Sequence, residues 1–248
     1  MALDDPIFWT ALLKIIGVNI VLSGDNAVVI ALAARSLRGK QQKQAIIWGS
    51  GAAIVMRIIL TLFAVALLSL PWLKLVGSVL LLWIGVKLMI PEDEGTEIEA
   101  SDSLWKAIKV ILIADLVMSL DNVIAVAAAA GGNVVLLILG LAISIPLVIF
   151  GATLLLKVME RWPIIITIGA GLLGFVAGEM AWEDNAIKAF TEHYPEQVKY
   201  VVAAIGAAFV VGLGRFLSGR SLQKAAEEQT VNLEQVEHPE RFPESKKP

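Results

Sequence analysis

Seven apolar stretches lie at about 11–34, 45–69, 72–90, 107–130, 133–156, 163–182 and 198–217. Each is long enough to cross the roughly 30 Å of a bilayer's hydrocarbon core as a helix. Hydrocarbon offers backbone amides no partner, so spans of this length must satisfy their own hydrogen bonds. Composition agrees: 57% of the 248 residues are apolar and only 17% are charged, where a soluble domain holds about a quarter charged. The mean hydropathy is +0.77. These values exclude a nucleic-acid binder, a disordered chain and an ordinary soluble enzyme. With no cysteine and a formal charge of −3, disulfides, thiolate metal sites and thiol nucleophiles are absent, and polyanions are not attracted.

The expected fold is therefore an all-α polytopic membrane protein with seven transmembrane helices. Ser69-Leu70-Pro71 divides the second span from the third, Pro91 ends the third, and Gly131-Gly132-Asn133 turns after the fourth. Pro163 opens the sixth span, where its missing N–H costs nothing, and Pro146 is expected to kink the fifth. Trp9, Trp48, Trp72, Trp105, Trp162 and Trp182 sit near span ends, as in an interfacial belt, whereas Trp83 does not. The first ten residues hold two acids and no base, so the first apolar segment reads as a retained span rather than a cleaved leader.

Basic residues set the direction. Arg35, Arg38, Lys40 and Lys43 fall in the first link, Lys87 and Lys106 flank the third, Lys157 and Arg161 lie in the fifth, and Arg215 and Arg220 mark the exit. Lys74, Lys188 and Lys199 are the few on the opposite side. The positive-inside rule puts the N-terminus outside and the C-terminus in the cytoplasm of a cell-membrane protein. Residues 91–103 read as a solvated acidic link, or a metal-collecting loop, and 183–197 as a short external amphipathic helix ending at Pro195. Residues 1–218 form one membrane domain; 219–248 hold 11 of the chain's 43 charged residues and read as a flexible cytoplasmic tail.

Within the membrane the sequence repeats itself. Leu22-Ser23-Gly24-Asp25-Asn26-Ala27 returns as Met118-Ser119-Leu120-Asp121-Asn122-Val123, an offset of 96 residues that also sets Asn19 opposite Asp115. Three spans separate equivalent positions, so the second copy runs in the opposite direction. The expected plan is an inverted repeat of three plus three helices (about 11–90 and 107–182) with an extra helix at 198–217. Asn19, Ser23 and Asn26 share one helical face, as do Asp115, Ser119 and Asn122, while Asp25 and Asp121 lie about 100° away. Gly24 would permit local unwinding of the first motif helix; Leu120 holds its place on the second, so a symmetric break is not expected.

A midplane Asp costs roughly 2.5–3.5 kcal/mol to insert, so Asp25, Asp115 and Asp121 call for protons, a bound cation or Arg57. Carboxylate, amide and hydroxyl oxygens make a hard site suited to Mn²⁺, Mg²⁺ or Ca²⁺. His193 and His238 lie outside the spans, which weakens Zn²⁺, Ni²⁺ and Fe²⁺. The candidate ligands are Asp25, Asn26, Asp115, Ser119, Asp121, Asn122 and Glu179, with Arg57, Asn19 and Ser23 along the pathway. Several have a plainer alternative. Asp-Asn pairs serve as hydrogen-bonding glue between helices, Arg57 as a structural ion pair rather than a gate, and Glu179 as an interfacial acid beside Glu183 and Asp184. Ala170, Gly174 and Gly178 form a ladder of small residues that allows close helix contact. No histidine partners Ser23 or Ser119 and no nucleotide loop occurs, so an enzyme and a catalytic cofactor are not expected. Paired aspartates of an intramembrane protease are disfavoured by the Asp-Asn contexts and by Arg57.

Ser-Gly-Asp-Asn-Ala at 23–27 and Ser-Leu-Asp-Asn at 119–122, with Asp115 ahead, resemble the TerC family of integral membrane proteins over roughly residues 8–218. The resemblance implies seven helices and kinship with LysE-type exporters built from inverted three-helix repeats. It also implies an association, by name, with tellurium resistance. For several bacterial members it implies Mn²⁺ export, including supply of Mn²⁺ to enzymes outside the membrane. Carried onto this chain, the family's acidic pattern falls on Asp25 and Asp121, with Asn26, Asn122 and Asp115 beside them. Asn19 puts an amide where the second repeat has an acid, which makes the site asymmetric. The expected function is export of a divalent cation, Mn²⁺ ahead of Ca²⁺ or Mg²⁺, by alternating access. The rivals are export of another small cation or a tellurium species, and a non-transporting partner for metalation of secreted enzymes. The expected partners are the lipid bilayer and a divalent metal ion, not nucleic acid; a homodimer or contact with secretion machinery is compatible with the sequence.

Overall fold

The computed structural model describes residues 6–63, 70–91, 100–131 and 133–237; within these, residues 6, 7, 21, 100–102, 121, 124 and 224–237 are described by backbone alone. Nine helices follow in order among the described residues: α1 Pro6–Leu22, α2 Gly24–Ala34, α3 Lys40–Leu62, α4 Leu73–Met89, α5 Ala100–Ala130, α6 Val134–Arg161, α7 Ile164–Trp182, α8 Lys188–Thr191 and α9 Gln197–Glu237. The chain is an all-α polytopic membrane protein. Among the described residues, α3, α6, α7 and the stretch Gln197–Gln223 of α9 are long and apolar enough to span. The pair α1–α2, bent by 50° at the break around Ser23, makes a fifth if it is counted as one span.

Large apolar side chains cover the outside, including Trp48, Val55 and Ile59 on α3 and Phe150 and Leu154 on α6. Lipid takes the place of water there, so this exposure is the expected outer surface of a spanning bundle. Inside, Leu32, Leu81, Ile84, Ile111 and Leu173 are fully enclosed, and Ile15, Leu136 and Leu141 fill a second core.

The helix pairing interleaves the two sequence repeats. α1 and α2 lie along α6, while α5 lies along α3; α2 also meets α7 as α5 meets α4. Small residues mark both principal contacts. A Cβ on Gly140 of α6 would run into Ile15, and one on Gly49 of α3 would run into Ile111; these isoleucines are again 96 residues apart. α4 and α7 pack on each other and both on α9. Gly174 and Gly206 bring α7 and α9 together so closely that a Cβ on either would strike the other's carbonyl, as the small-residue ladder predicts.

Several boundaries differ from the sequence expectation. α5 begins at Ala100, inside the expected acidic link, of which 92–99 lie outside the described residues. The 183–197 segment is mostly turns, with only Lys188–Thr191 helical, because its backbone follows Asp184, which accepts the Ala186 N–H at 2.7 Å. α9 does not stop at Ser218 but runs on to Glu237. Ser221–Glu237 contains no Gly or Pro and is rich in Ala, Leu, Gln, Lys and Glu, which are strong helix formers. Residues 238–248 lie outside the described residues. Pro146 sits within α6 without ending it.

Two sets of ties define the ends of the bundle. At one end Arg35 Nη2 donates to the Ile90 carbonyl at 3.5 Å, joining the exits of α2 and α4. At the other, Asp184 caps the start of α4, accepting Trp72 N–H at 3.0 Å and Leu75 N–H at 2.9 Å. Glu183 there pairs with Lys74 at 3.3 Å and Lys199 at 3.0 Å.

Candidate functional site

Arg57 stands five residues before the end of α3, buried to 2% exposure. Its guanidinium is met from both repeats. Nη1 donates to Asn19 Oδ1 and to Ser23 Oγ, each at 2.9 Å. Nε donates to Ser119 Oγ at 2.9 Å, and Nη2 to Asp115 Oδ1 at 2.5 Å. Asn19 and Ser23 lie four residues apart on α1 and its exit; Asp115 and Ser119 have the same spacing on α5, exactly one repeat later in sequence register. Within each pair the serine hydroxyl also donates to its neighbour, at 3.3 Å to Asn19 and 3.2 Å to Asp115. One cation thus joins two equivalent polar pairs, and the Asn19/Asp115 difference leaves it one ionic partner among the described residues. Burial without such a partner would cost several kcal/mol.

The break between α1 and α2 lies beside this cluster. Ser23 takes φ −113° and ψ 6°, a sparsely allowed but sterically open conformation. In an unbroken helix the Leu22 carbonyl would accept the Asn26 N–H. Here the Asn26 N–H donates to Asp25 Oδ1 at 2.8 Å, and the Leu22 carbonyl accepts Asn122 Nδ2 at 3.0 Å. Two side chains, one from each repeat, therefore replace one backbone hydrogen bond. A broken helix within a membrane needs such substitutes.

Asp25 is half-buried at the start of α2. Among the described residues no basic side chain forms an ion pair with it, since Arg57 is engaged by Asp115. Asn26 beside it is 2% exposed, and neither its Oδ1 nor its Nδ2 has a partner among the described residues. Leaving buried polar groups unsatisfied costs about 1–3 kcal/mol each, so this amide is an unfulfilled acceptor and donor next to a carboxylate that has no ion-pair partner among the described residues. Asn19 Nδ2 and Ser50 Oγ are also buried without partners. Ser50 lies seven residues before Arg57 on α3, the same face two turns away; sequence reading passed over it, although that spacing was visible.

The remaining sequence candidates fall in two places. Asp121 lies on α5, but its side chain is outside the described residues. Glu179 sits near the end of α7, 3.8 Å from Lys199, which also holds Glu183; it belongs to the network that ties α4, α7 and α9 rather than to Arg57's partners. Among the described residues no three His, Cys, Asp or Glu side chains converge. Asp184, passed over as a neighbour of Glu179, is fully buried.

Residues 4–222 match the integral membrane protein TerC family. The chain belongs to that family. The chain is 44% identical over 204 residues to membrane protein YjbE of Bacillus subtilis (strain 168), covering 82% of this chain and 93% of that one. Membrane protein YceF of the same organism is 27% identical over 239 residues, covering 92% and 89%. Inner membrane protein YoaE of Escherichia coli (strain K12) is 24% identical over 229 residues, covering 84% of this chain and 43% of its own length. No solved structure shows a significant match.

Proposed function

We propose that this TerC-family protein moves a divalent metal cation, Mn²⁺, out of the cytoplasm by alternating access. The observation that carries the reading is Asp25: a half-buried carboxylate at a helix break, with no ion-pair partner among the described residues, beside an amide whose oxygen is unpaired. Discontinuous helices bind transported ions in this way because unwound backbone and nearby side chains offer oxygens at mid-membrane depth. Asp25 and the Asn26 Oδ1 supply ligands from one repeat, and Asp121 and Asn122 supply them from the other. Asp115, Ser119, Asn19 and Ser23 act through Arg57, which they hold as a counter-charge. Glu179 lies along the exit beside Lys199. Oxygen donors suit Mn²⁺, Mg²⁺ and Ca²⁺ alike; the family resemblance selects Mn²⁺.

The reading takes the chain as seven spans in a three-plus-three inverted repeat with α9 added. The reciprocal packing of α1–α2 on α6 and α5 on α3, and the paired Ile15–Gly140 and Ile111–Gly49 contacts, support it. Lys74, Lys199 and Asp184 share one end of the bundle and Arg35 the other, which agrees with an N-terminus outside and a cytoplasmic C-terminus in the cell membrane. Efflux works against a negative-inside potential at about 2.3 kcal/mol per charge per 100 mV, so a steep gradient or a coupled ion must drive it.

The test is Mn²⁺ flux into or out of liposomes containing the purified protein, with Asp25→Asn and Asp121→Asn beside the parent. Parent flux should fall by at least tenfold in both variants. Unchanged flux in both removes the site. A folded parent that moves no divalent cation under any ion gradient removes the transport reading.

A further inference from the structure

The break in the first motif helix has no counterpart in the second. α1 and α2 part at Ser23, whereas α5 runs without interruption through Ser119, the equivalent residue. Hydrogen bonding at the two asparagines is correspondingly unequal. Asn122 of the unbroken helix reaches across to the Leu22 carbonyl, freed by the break. Asn26, its equivalent, is buried with both polar atoms unpaired. By the 96-residue register, the carbonyl that stands to Asn26 as Leu22 stands to Asn122 is that of Met118. In the unbroken α5 the Met118 carbonyl lies within the regular ladder of the helix.

We propose that Asn26 and Asn122 are alternate latches that position the transport site. In the conformation described here Asn122 holds the first motif helix broken. In an opposite conformation α5 breaks at Ser119–Leu120, α1–α2 closes into one helix, and Asn26 Nδ2 donates to the Met118 carbonyl. The unpaired Asn26 is the latch waiting for that state. Interleaved packing makes the exchange mechanically symmetric, since each motif helix lies against the second helix of the other repeat.

The absence of a glycine at position 120 does not prevent the exchange. Gly24 has no positive φ, and a Cβ placed on it meets nothing within 4 Å. The break therefore rests on the bonds around Leu22 and Asn26 rather than on glycine's freedom, and Leu120 can follow the same backbone path. Ser23 at φ −113° likewise demands nothing that Ser119 lacks. Exchange of two unequal repeat conformations turns an inverted repeat inside out, which is what alternating access requires. The inference thus deepens the transport reading and names the residues that switch its site.

Amide hydrogen exchange of the metal-free full-length protein in lipid nanodiscs tests it, read on peptides covering 20–27 and 116–123. Asn122→Ala should slow exchange across 20–27 and speed it across 116–123, by roughly 3- to 10-fold for the loss of one hydrogen bond. Asn26→Ala should slow exchange across 116–123 below the parent. A purely structural role for either residue would speed both segments. That result, or an unchanged ratio between the segments, overturns the latch. Asn122→Leu and Asn26→Leu, which keep the side-chain shape, carry the same predictions if an alanine variant misfolds. Opposed shifts without Mn²⁺ flux keep the latch and remove the transport reading; flux without opposed shifts does the reverse.

Discussion

At the scale of single residues, the Arg57 guanidinium is the charge around which the polar side chains of both repeats gather. It pairs with Asp115 and donates to Asn19 Oδ1, Ser23 and Ser119, so that one buried charge organises four side chains. Removing only the cation strands a buried carboxylate, which costs about 3–5 kcal/mol. Arg57→Met should therefore lower the melting temperature in detergent markedly, and adding Asp115→Leu should recover much of the loss. If the single variant melts like the parent, the pair is not buried as described. The residue pattern that carries this cluster was legible: the serines and the Asn19/Asp115 correspondence stand in the repeat itself. Which acid meets Arg57 was not legible, because three carboxylates were equally eligible in sequence; the packing of α3 on α5 brings Asp115 to it.

Among elements, the tightest contact joins α7 to α9. Gly174 and Gly206 face one another, and a methyl group on either would meet backbone, which cannot rotate away. Gly206→Ala should destabilise the protein by about 1–3 kcal/mol through overpacking. Gly212→Ala on the same helix, where a Cβ meets nothing within 4 Å, should be neutral or stabilise by up to about 1 kcal/mol from helix propensity. Thermal unfolding of the two variants side by side checks this, and equal effects would contradict the contact. Of the two glycines only Gly174 belonged to a ladder visible in the sequence. Gly206 gained its meaning from the partner helix. The end of α9 was misread for a related reason: hydropathy falls after Ser218, but polarity ends a membrane span without ending a helix.

For the molecule as a whole, α4, α7 and α9 are fastened at one end by Glu183 and Asp184. Burial opposes the charge on Asp184, yet backbone N–H groups of Ala186, Leu75 and Trp72 outweigh it and hold the carboxyl below its ordinary range. For Glu183, burial again opposes ionisation, and the hydrogen bonds and charges of Lys199 and Lys74 overcome it. A carboxyl with a depressed pKa in the folded state lets the unfolded chain take up its proton first as pH falls. The stabilisation is therefore complete above the ordinary carboxylate range, declines as pH drops through that range, and is gone below the folded-state values. Melting followed by tryptophan fluorescence, to which Trp72 and Trp182 at this fastening contribute, should be flat near neutrality and fall in that acid window. Asp184→Asn should flatten part of the fall; an identical pH profile in the variant would show that the fastening contributes nothing.

Sequence alone determined that the chain spans a membrane, that its motif helices repeat, and which polar residues could meet inside. Those follow from transfer free energy and helical period, which act locally and need no knowledge of neighbours. Only the tertiary structure decided that the repeats interleave, that Arg57 pairs with Asp115, that the first motif helix breaks while the second does not, and that Asn122 is bonded while Asn26 is not. Each of these depends on which of several equivalent partners lies within hydrogen-bond reach, and nearly identical motifs cannot settle that among themselves.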